Sequence, residues 1–280
     1  MPPTDVRPRG DMNYMGIVFA EGIDVEIQRS RYHKLFKRDV LATRYPDNAA
    51  LHDLGLFDSV HWMLNNLGGS RTIDTAYFRM FNRTYAINQY QLADLLLFPH
   101  GEDFTRQHPL ESDWESNTFD FWQQLTGTTT TNWEGLKATA IQNLAIRYFH
   151  RILASTIFGQ ENTDNVRSRD LFLIYCALSG KKVNLTSFLL AHFQFTCVQT
   201  GGPICVGELI TSIALTLNLG TKLGMLELLE TPFADLDYCR SMRLIKNKPD
   251  SKYSLIISNR EVRGVSLPCA ARINVRMSAN

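Results

Sequence analysis

The apolar positions along the chain fall into short, sharply punctuated periods. The clearest lies at residues 78–99. Phe78 and Met80 alternate with Arg79, and Tyr85 and Ile87 alternate with Ala86, on either side of Asn82-Arg83. That period of two predicts a β-hairpin over 78–87. Asn88 then stands where a helix cap belongs, with Gln91 three residues on in the capping-box position. Tyr90, Leu92, Ala93 and Leu95 to Leu97 supply an apolar face, and Pro99 closes the run. A lone hairpin is marginal in water, so this unit is expected to lie against helices.

Residues 1–28 show no comparable period and read as a loose lead-in. From Arg29 to Arg44 the chain is basic, with Tyr32, Leu35, Phe36 and Val40 at helical spacing. Tyr45-Pro46-Asp47-Asn48 punctuates it, because the residue before proline avoids the helical region. Asp58 is placed to cap a helix through Val60, Met63, Leu64 and Leu67, stopped at Gly68-Gly69. Residues 100–136 are acidic and rich in Thr and Gly, and "TGTTTTN" at 126–132 is the best linker candidate. The pattern therefore predicts an N-terminal helical subdomain over 29–125, a linker over 126–136 and a C-terminal helical subdomain over 137–280.

In that second half Ile141, Leu144, Ala145, Tyr148 and Ile152 share one helix face, and Arg147, His150 and Arg151 fall on the other, which reads as a solvated stripe. Leu171 to Leu178 is apolar all round, the mark of a buried helix. Asn184 can cap the next helix, with Val183 and Phe188 as a hydrophobic staple. Leu171, Leu173, Ile174, Tyr175, Leu178, Phe188 and Leu189 are expected to be buried together as a helical hairpin joined by Ser179-Gly180-Lys181-Lys182. Gly201-Gly202-Pro203 breaks the helix, and Val206, Leu209, Ile210, Ile213 and Leu217 line a further one. "SKYSLIIS" and "VRGVSLP" read as two short strands that pair near 253–267. The fold class is mainly α with small β-hairpins, an α+β arrangement.

The composition, 280 residues of which 44% are hydrophobic, is enough to bury a proper core. A net charge of +1 hides an asymmetry: from Arg240 onward nine Lys/Arg stand against Asp250 and Glu261, a balance of +7, leaving −6 on residues 1–239. A basic tail on an acidic body raises nucleic-acid contact, for which Arg240, Arg243, Lys246, Lys248, Lys252, Arg260 and Arg263 are the candidates. Lys246 and Lys248 read as a flexible run ended by Pro249, and Tyr253 offers a face for base stacking.

The five cysteines are an odd number, and the polar start Met1-Pro2-Pro3-Thr4-Asp5 has no apolar signal core. An intracellular protein, cytoplasmic or nuclear, is expected. No run reaches the roughly 20 apolar residues a membrane span needs, so no membrane contact is expected. Cys197, Cys205 and His192 lack zinc-ligand spacing. Gly201-Gly202 lacks the Lys and Ser/Thr of a P-loop, Asp74-Thr75-Ala76 only approaches an aspartic-protease turn, and no G-x-S-x-G occurs. No catalytic residue, metal or cofactor is predicted, and a non-enzymatic role is expected ahead of an enzyme of unknown class.

The order of these elements is itself informative. "RYPDNAALHDLGLFDSVHWMLNNLG", "FRMFNRTYAINQYQLADLLLFPHGE" and "GGPICVGELITSIALTLNLG", and most specifically "RYFHRILASTIFG" with "YCALSGKKVNLTSFLLAHF", resemble the first-open-reading-frame protein of Athila-type plant retrotransposons, over about Tyr32 to Pro268. The resemblance implies a gag-position structural protein that self-associates and captures nucleic acid, with no catalytic residues to carry over. It also implies a further helix between Gly68-Gly69 and the hairpin, where this chain has only Ser70 to Tyr77. The hairpin-helix unit is similar as well to the plant mobile domain, which implies a nuclear DNA- or chromatin-associated adaptor as the alternative.

Overall fold

The computed structural model describes residues 25–36, 38, 44–67, 75–80, 83–95, 112–160, 162–198, 204, 207–224, 233–249 and 252–275. In chain order these form α1 (Val25–Phe36), β1 (Tyr45–Pro46), α2 (Asn48–Asp53), α3 (Phe57–Asn66), β2 (Thr75–Met80), β3 (Arg83–Asn88), α4 (Gln89–Leu95) and α5 (Ser112–Thr126). A 3₁₀ turn at Ala138–Ala140 precedes α6 (Leu144–Thr156), α7 (Ser168–Ser179), α8 (Leu185–Val198), α9 (Gly207–Thr216) and α10 (Gly220–Leu223). The chain then runs through β4 (Phe233–Ala234), α11 (Leu236–Ser241), β5 (Ile245–Asn247), β6 (Tyr253–Ile257), β7 (Arg260–Glu261) and α12 (Ala270–Ile273). The fold is mainly α, with three small sheets: parallel β1-β4, the β2-β3 hairpin, and β5-β6-β7.

The N-terminal elements follow their local signals with one exception. α1 begins at Val25, four residues before the expected start. Asp47 caps α2, its carboxylate accepting from the Ala50 N–H at 2.7 Å. Asp58, however, is not the cap of α3. It lies inside the first turn, and the cap position belongs to Leu56, with no side-chain bond. The cause is the preceding turn at Gly55, whose φ of +69° folds the end of α2 directly into α3. A Cβ at Gly55 would also lie 2.7 Å from the Pro268 Cβ, so the position suits glycine twice over.

The hairpin is longer than its sequence core: Thr75 pairs with Asn88 and Met80 with Arg83. Arg83, expected in the turn, is therefore already a strand residue. The capping box is formed, with the Asn88 N–H donating to Gln91 Oε1 at 3.0 Å and the Gln91 N–H to Asn88 Oδ1 at 2.7 Å. Ile87 and Leu92 join Leu189 and Ile213 in a small second core, so the unit does lie against helices, namely α8 and α9. The stops at Gly68-Gly69, Pro99 and Gly201-Gly202-Pro203 lie outside the described residues.

The main core centres on α6 and α7. Every side chain of α6 from Leu144 to Ala154 is buried, and α7 buries Leu171 to Ile174 with Cys176 and Ala177. α3 and α5 flank α7, where the Trp114 ring meets Phe172 edge-on at 5.5 Å and Tyr175 at 5.3 Å. This cluster takes residues from both sides of 126–136, from Leu51 to Leu67 and Trp114 to Leu125 as well as from Ala138 to Val275, and Leu136 from within it. Asn184 caps α8 by accepting from the Ser187 N–H at 3.3 Å, and Val183 and Phe188 are buried as the staple requires.

Two expectations are corrected here. Phe188 turns toward α7 and stacks on Phe172 at 6.2 Å, but Leu189 belongs to the second core with Ile87 and Leu92. Adjacent helical residues point about 100° apart, so one helix serves both clusters. In the C-terminal sheet β6 is present as expected, but residues 262–268 form turns, with φ +75° at Gly264 and one isolated bridge from Leu267 to Tyr253. The partners of β6 are instead β5 and β7, the latter reached by a two-residue turn at Ser258-Asn259. Both of those residues have positive φ, 47° and 62°, the type I′ geometry that matches strand twist.

Candidate functional site

The basic residues lie on α11, the β5-β6-β7 sheet and the turns around it. α11 ends in a Schellman motif: the Leu244 N–H bonds the Cys239 carbonyl at 2.9 Å and the Arg243 N–H bonds that of Arg240 at 3.0 Å. Arg243 occupies the left-handed position, φ +54°, where glycine is customary. α7 closes the same way with Gly180 at φ +67°. The segment expected as a flexible run, Lys246 to Lys248, is an ordered strand and its exit. Order follows from the apolar residues flanking it: Leu244 and Ile245 are buried beneath the sheet.

The seven cations divide into two groups. Arg240 is ion-paired with Asp237 and also reaches Asn247 at 3.2 Å. Arg243 donates to Asn259 Oδ1 at 3.2 Å, Lys246 pairs with Glu261 at 3.3 Å, and Lys248 donates to the Val265 carbonyl at 2.8 Å. The Glu261 carboxyl is held below the usual carboxylate value by the Ser254 hydroxyl at 2.6 Å and by Lys246. Lys252, Arg260 and Arg263 are exposed and carry no ion pair among the described residues. Tyr253 is half-buried beside the core rather than freely presented.

A second set of polar residues was not expected at all. Arg147, His150 and Arg151, read as a solvated stripe, are wholly buried. Each is spent on a link between elements. Arg147 donates to the carbonyls of Thr139 at 3.3 Å, Leu244 at 3.5 Å and Ile256, tying α6 to the sheet. Burial pulls its guanidinium down to about 9, with the Arg151 charge acting the same way, so it stays charged at neutral pH. His150 Nε2 lies 3.3 Å from Asp170 Oδ2. Arg151 donates to Thr163 Oγ1 at 3.0 Å and Asp164 Oδ1 at 2.9 Å. The signal that could have revealed this burial is Ala154, an apolar residue that continues the Arg147–Arg151 stripe by a further turn.

Arg151 and Arg243, 92 positions apart in numbering, both line an open pocket of about 600 Å³ together with Thr139, Thr163, Asp164 and Asn259. No group of His, Cys, Asp and Glu suited to a metal ion occurs among the described residues. Cys176 and Cys239 are buried and in no disulfide, and burial pushes the Cys239 thiol up to about 12, so it is a neutral apolar filler at neutral pH. No helix among the described residues is long and apolar enough to cross a membrane.

Residues 70–182, from the hairpin through α7, match the model of the ATHILA ORF-1 family. Over these residues the match bears out the resemblance read from the sequence. It includes the whole of "RYFHRILASTIFG" and ends within "YCALSGKKVNLTSFLLAHF", at residue 182. No curated protein and no solved structure matches the chain.

Proposed function

We propose that the chain is a non-enzymatic structural protein of a retrotransposon, acting in the gag position by associating with copies of itself. The observation that carries this reading is where large apolar side chains are exposed. Of six such residues among the described ones, Phe195 stands on α8 and Ile210 and Leu215 on α9. Both helices pack on α4 and share the second core, so half of the exposed apolar side chains gather on one unit. Apolar exposure gathered in this way suits a protein surface that another copy covers.

Light scattering across a concentration series tests the reading. The wild-type mass is expected to rise with concentration, and Phe195→Glu with Leu215→Glu to hold the chain monomeric. A wild-type protein that stays monomeric throughout overturns it.

A second reading, nucleic-acid contact, is favoured by Lys252, Arg260 and Arg263, which are exposed around one small sheet without ion-pair partners among the described residues. Such cations suit phosphate contacts that position a strand without reading its sequence.

A further inference from the structure

We propose that the pocket between α6 and the C-terminal sheet binds a ribonucleoside monophosphate, free or at the end of an RNA strand, with the phosphate on Arg243 and the ribose hydroxyls on Asp164. The first argument is the backbone. Arg243 occupies a left-handed helix-closing position that the fold elsewhere gives to Gly180 and Asn218, the two residue types that favour it. The α11 turn needs only backbone bonds, so a side chain is kept there against local preference. That side chain stands at the pocket, bonded to Asn259 Oδ1 at 3.2 Å. Departures of this kind gather where a side chain serves a ligand.

The second argument is the charge inside the pocket. Arg151 is 2% exposed and still lines it; its terminal nitrogens hold Thr163 and Asp164, while its Nε has no partner. Two guanidinium groups and one carboxylate therefore line the pocket, and the Lys137 Nζ stands 4.0 Å from Asp164 Oδ2. A guanidinium matches phosphate through its planar fork.

Asp164 selects among anions. Its side chain is 37% exposed, so its carboxylate repels a bare oxyanion but accepts from hydroxyl groups. A ligand joining a phosphate to vicinal hydroxyls satisfies both charges. The amides of Asn162 and Asn259 offer donors and acceptors to a base edge, and about 600 Å³ suits a ligand of nucleotide size.

Isothermal titration of the full chain tests this with adenosine 5′-monophosphate, inorganic phosphate, adenosine, and a short RNA with and without a 5′-phosphate. The mononucleotide should bind at least about tenfold more tightly than phosphate or adenosine alone. Arg243→Gly should abolish that binding without lowering Tm, because glycine suits the left-handed turn, and Arg243→Lys should restore part of it. Asp164→Asn should narrow the preference for the mononucleotide over phosphate. Tighter binding of the phosphorylated RNA than of the mononucleotide assigns the site to strand ends, and the reverse assigns it to free nucleotide; either supports the pocket. Equal binding by wild type and Arg243→Gly overturns it, as does no mononucleotide binding at millimolar concentration. Self-association by light scattering is read on the same samples, so that the pocket and the assembly reading fail separately.

Discussion

The Tyr148 hydroxyl donates to the carbonyl oxygen of Ala234 at 2.8 Å, across 86 positions of sequence. The Tyr148 hydroxyl oxygen in turn accepts from the Asp47 N–H at 3.2 Å, so one side chain of α6 holds both strands of the parallel β1-β4 ribbon. Burial, the largest influence, raises the Tyr148 pKa above its ordinary value, which keeps the hydroxyl a donor at any physiological pH. Tyr148→Phe leaves a buried carbonyl and an amide without their partner and is expected to cost about 1–3 kcal/mol by urea denaturation. A change within error of zero would mean the ribbon docks without this bond.

Asp170 is expected to matter more. Its carboxylate meets His150 at 3.3 Å, accepts from Gln160 Nε2 at 3.0 and 3.1 Å, and accepts from the Arg167 N–H at 2.9 Å as part of the α7 capping box. Both His150 and Asp170 are completely buried. Asp170→Ala removes the acceptor common to three donors and should cost roughly 3–5 kcal/mol, with Asp170→Asn between it and wild type. Less than about 1 kcal/mol for Asp170→Ala would show that the network is replaceable by water.

The two cores make a separable prediction. Leu173 is wholly buried in the main cluster and Leu189 in the second. Each change to Ala should cost about 2–5 kcal/mol. Because the clusters are distinct, the double variant should equal the sum of the singles within about 0.5 kcal/mol. A larger coupling, measured in one denaturation series, would return both residues to a common core.

Much of this architecture was legible because it is local. The Asn88–Gln91 box, the helix break at Ser179-Gly180-Lys181-Lys182 and the Asn184 cap are each written within four residues, and each forms. What could not be read is what depends on the arrangement of distant elements. The polar stripe of Arg147, His150 and Arg151 looks like a solvent face because nothing within α6 shows that Leu244, Ile256, Thr163 and Asp170 come from four other places to cover it. The pocket was illegible for the same reason: Arg151 and Arg243 have no relation in sequence. Residues 262–268 alternate like a strand, but β7 takes the sheet edge first and Gly264 turns the chain.

His192 gives a pH dependence. Burial lowers its pKa to about 4 from the ordinary 6.5, with the charges of Arg169 and then Arg167 acting the same way; its Nε2 lies 3.4 Å from Thr196 Oγ1. The folded state therefore holds His192 neutral where the unfolded chain begins to protonate. Its contribution is fully present above about pH 6.5 and is lost as pH falls toward about 4, up to about 3 kcal/mol over that window. The carboxylates titrate across the same range in any variant, so the informative quantity is a difference. Between pH 6.5 and 4.5 the stability of His192→Gln should fall less steeply than that of wild type. Parallel curves would remove His192 as the cause.

The structure also ranks the cations of the C-terminal segment for nucleic-acid contact. Arg240 and Lys246 are already neutralised by Asp237 and Glu261, and Lys248 is turned onto the Val265 carbonyl and Ser266. A phosphate approaching them must displace a partner first. Lys252, Arg260 and Arg263 require no such exchange. Changing these three to Gln should therefore weaken filter binding of single-stranded RNA more than changing Arg240, Lys246 and Lys248 to Gln. The salt slope reports the same thing independently. Each phosphate contact on a single strand contributes about 0.7 to the slope of log affinity against log salt, so losing three should flatten it by about 2. Sequence should matter little, since exposed lysines and arginines of this kind contact phosphate and sugar rather than base edges. If the paired set proves as important as the unpaired one, the ion pairs open on binding, and the salt slope of the paired-set variant should then flatten as much. If neither set changes affinity or slope, the basic segment has no part in holding nucleic acid.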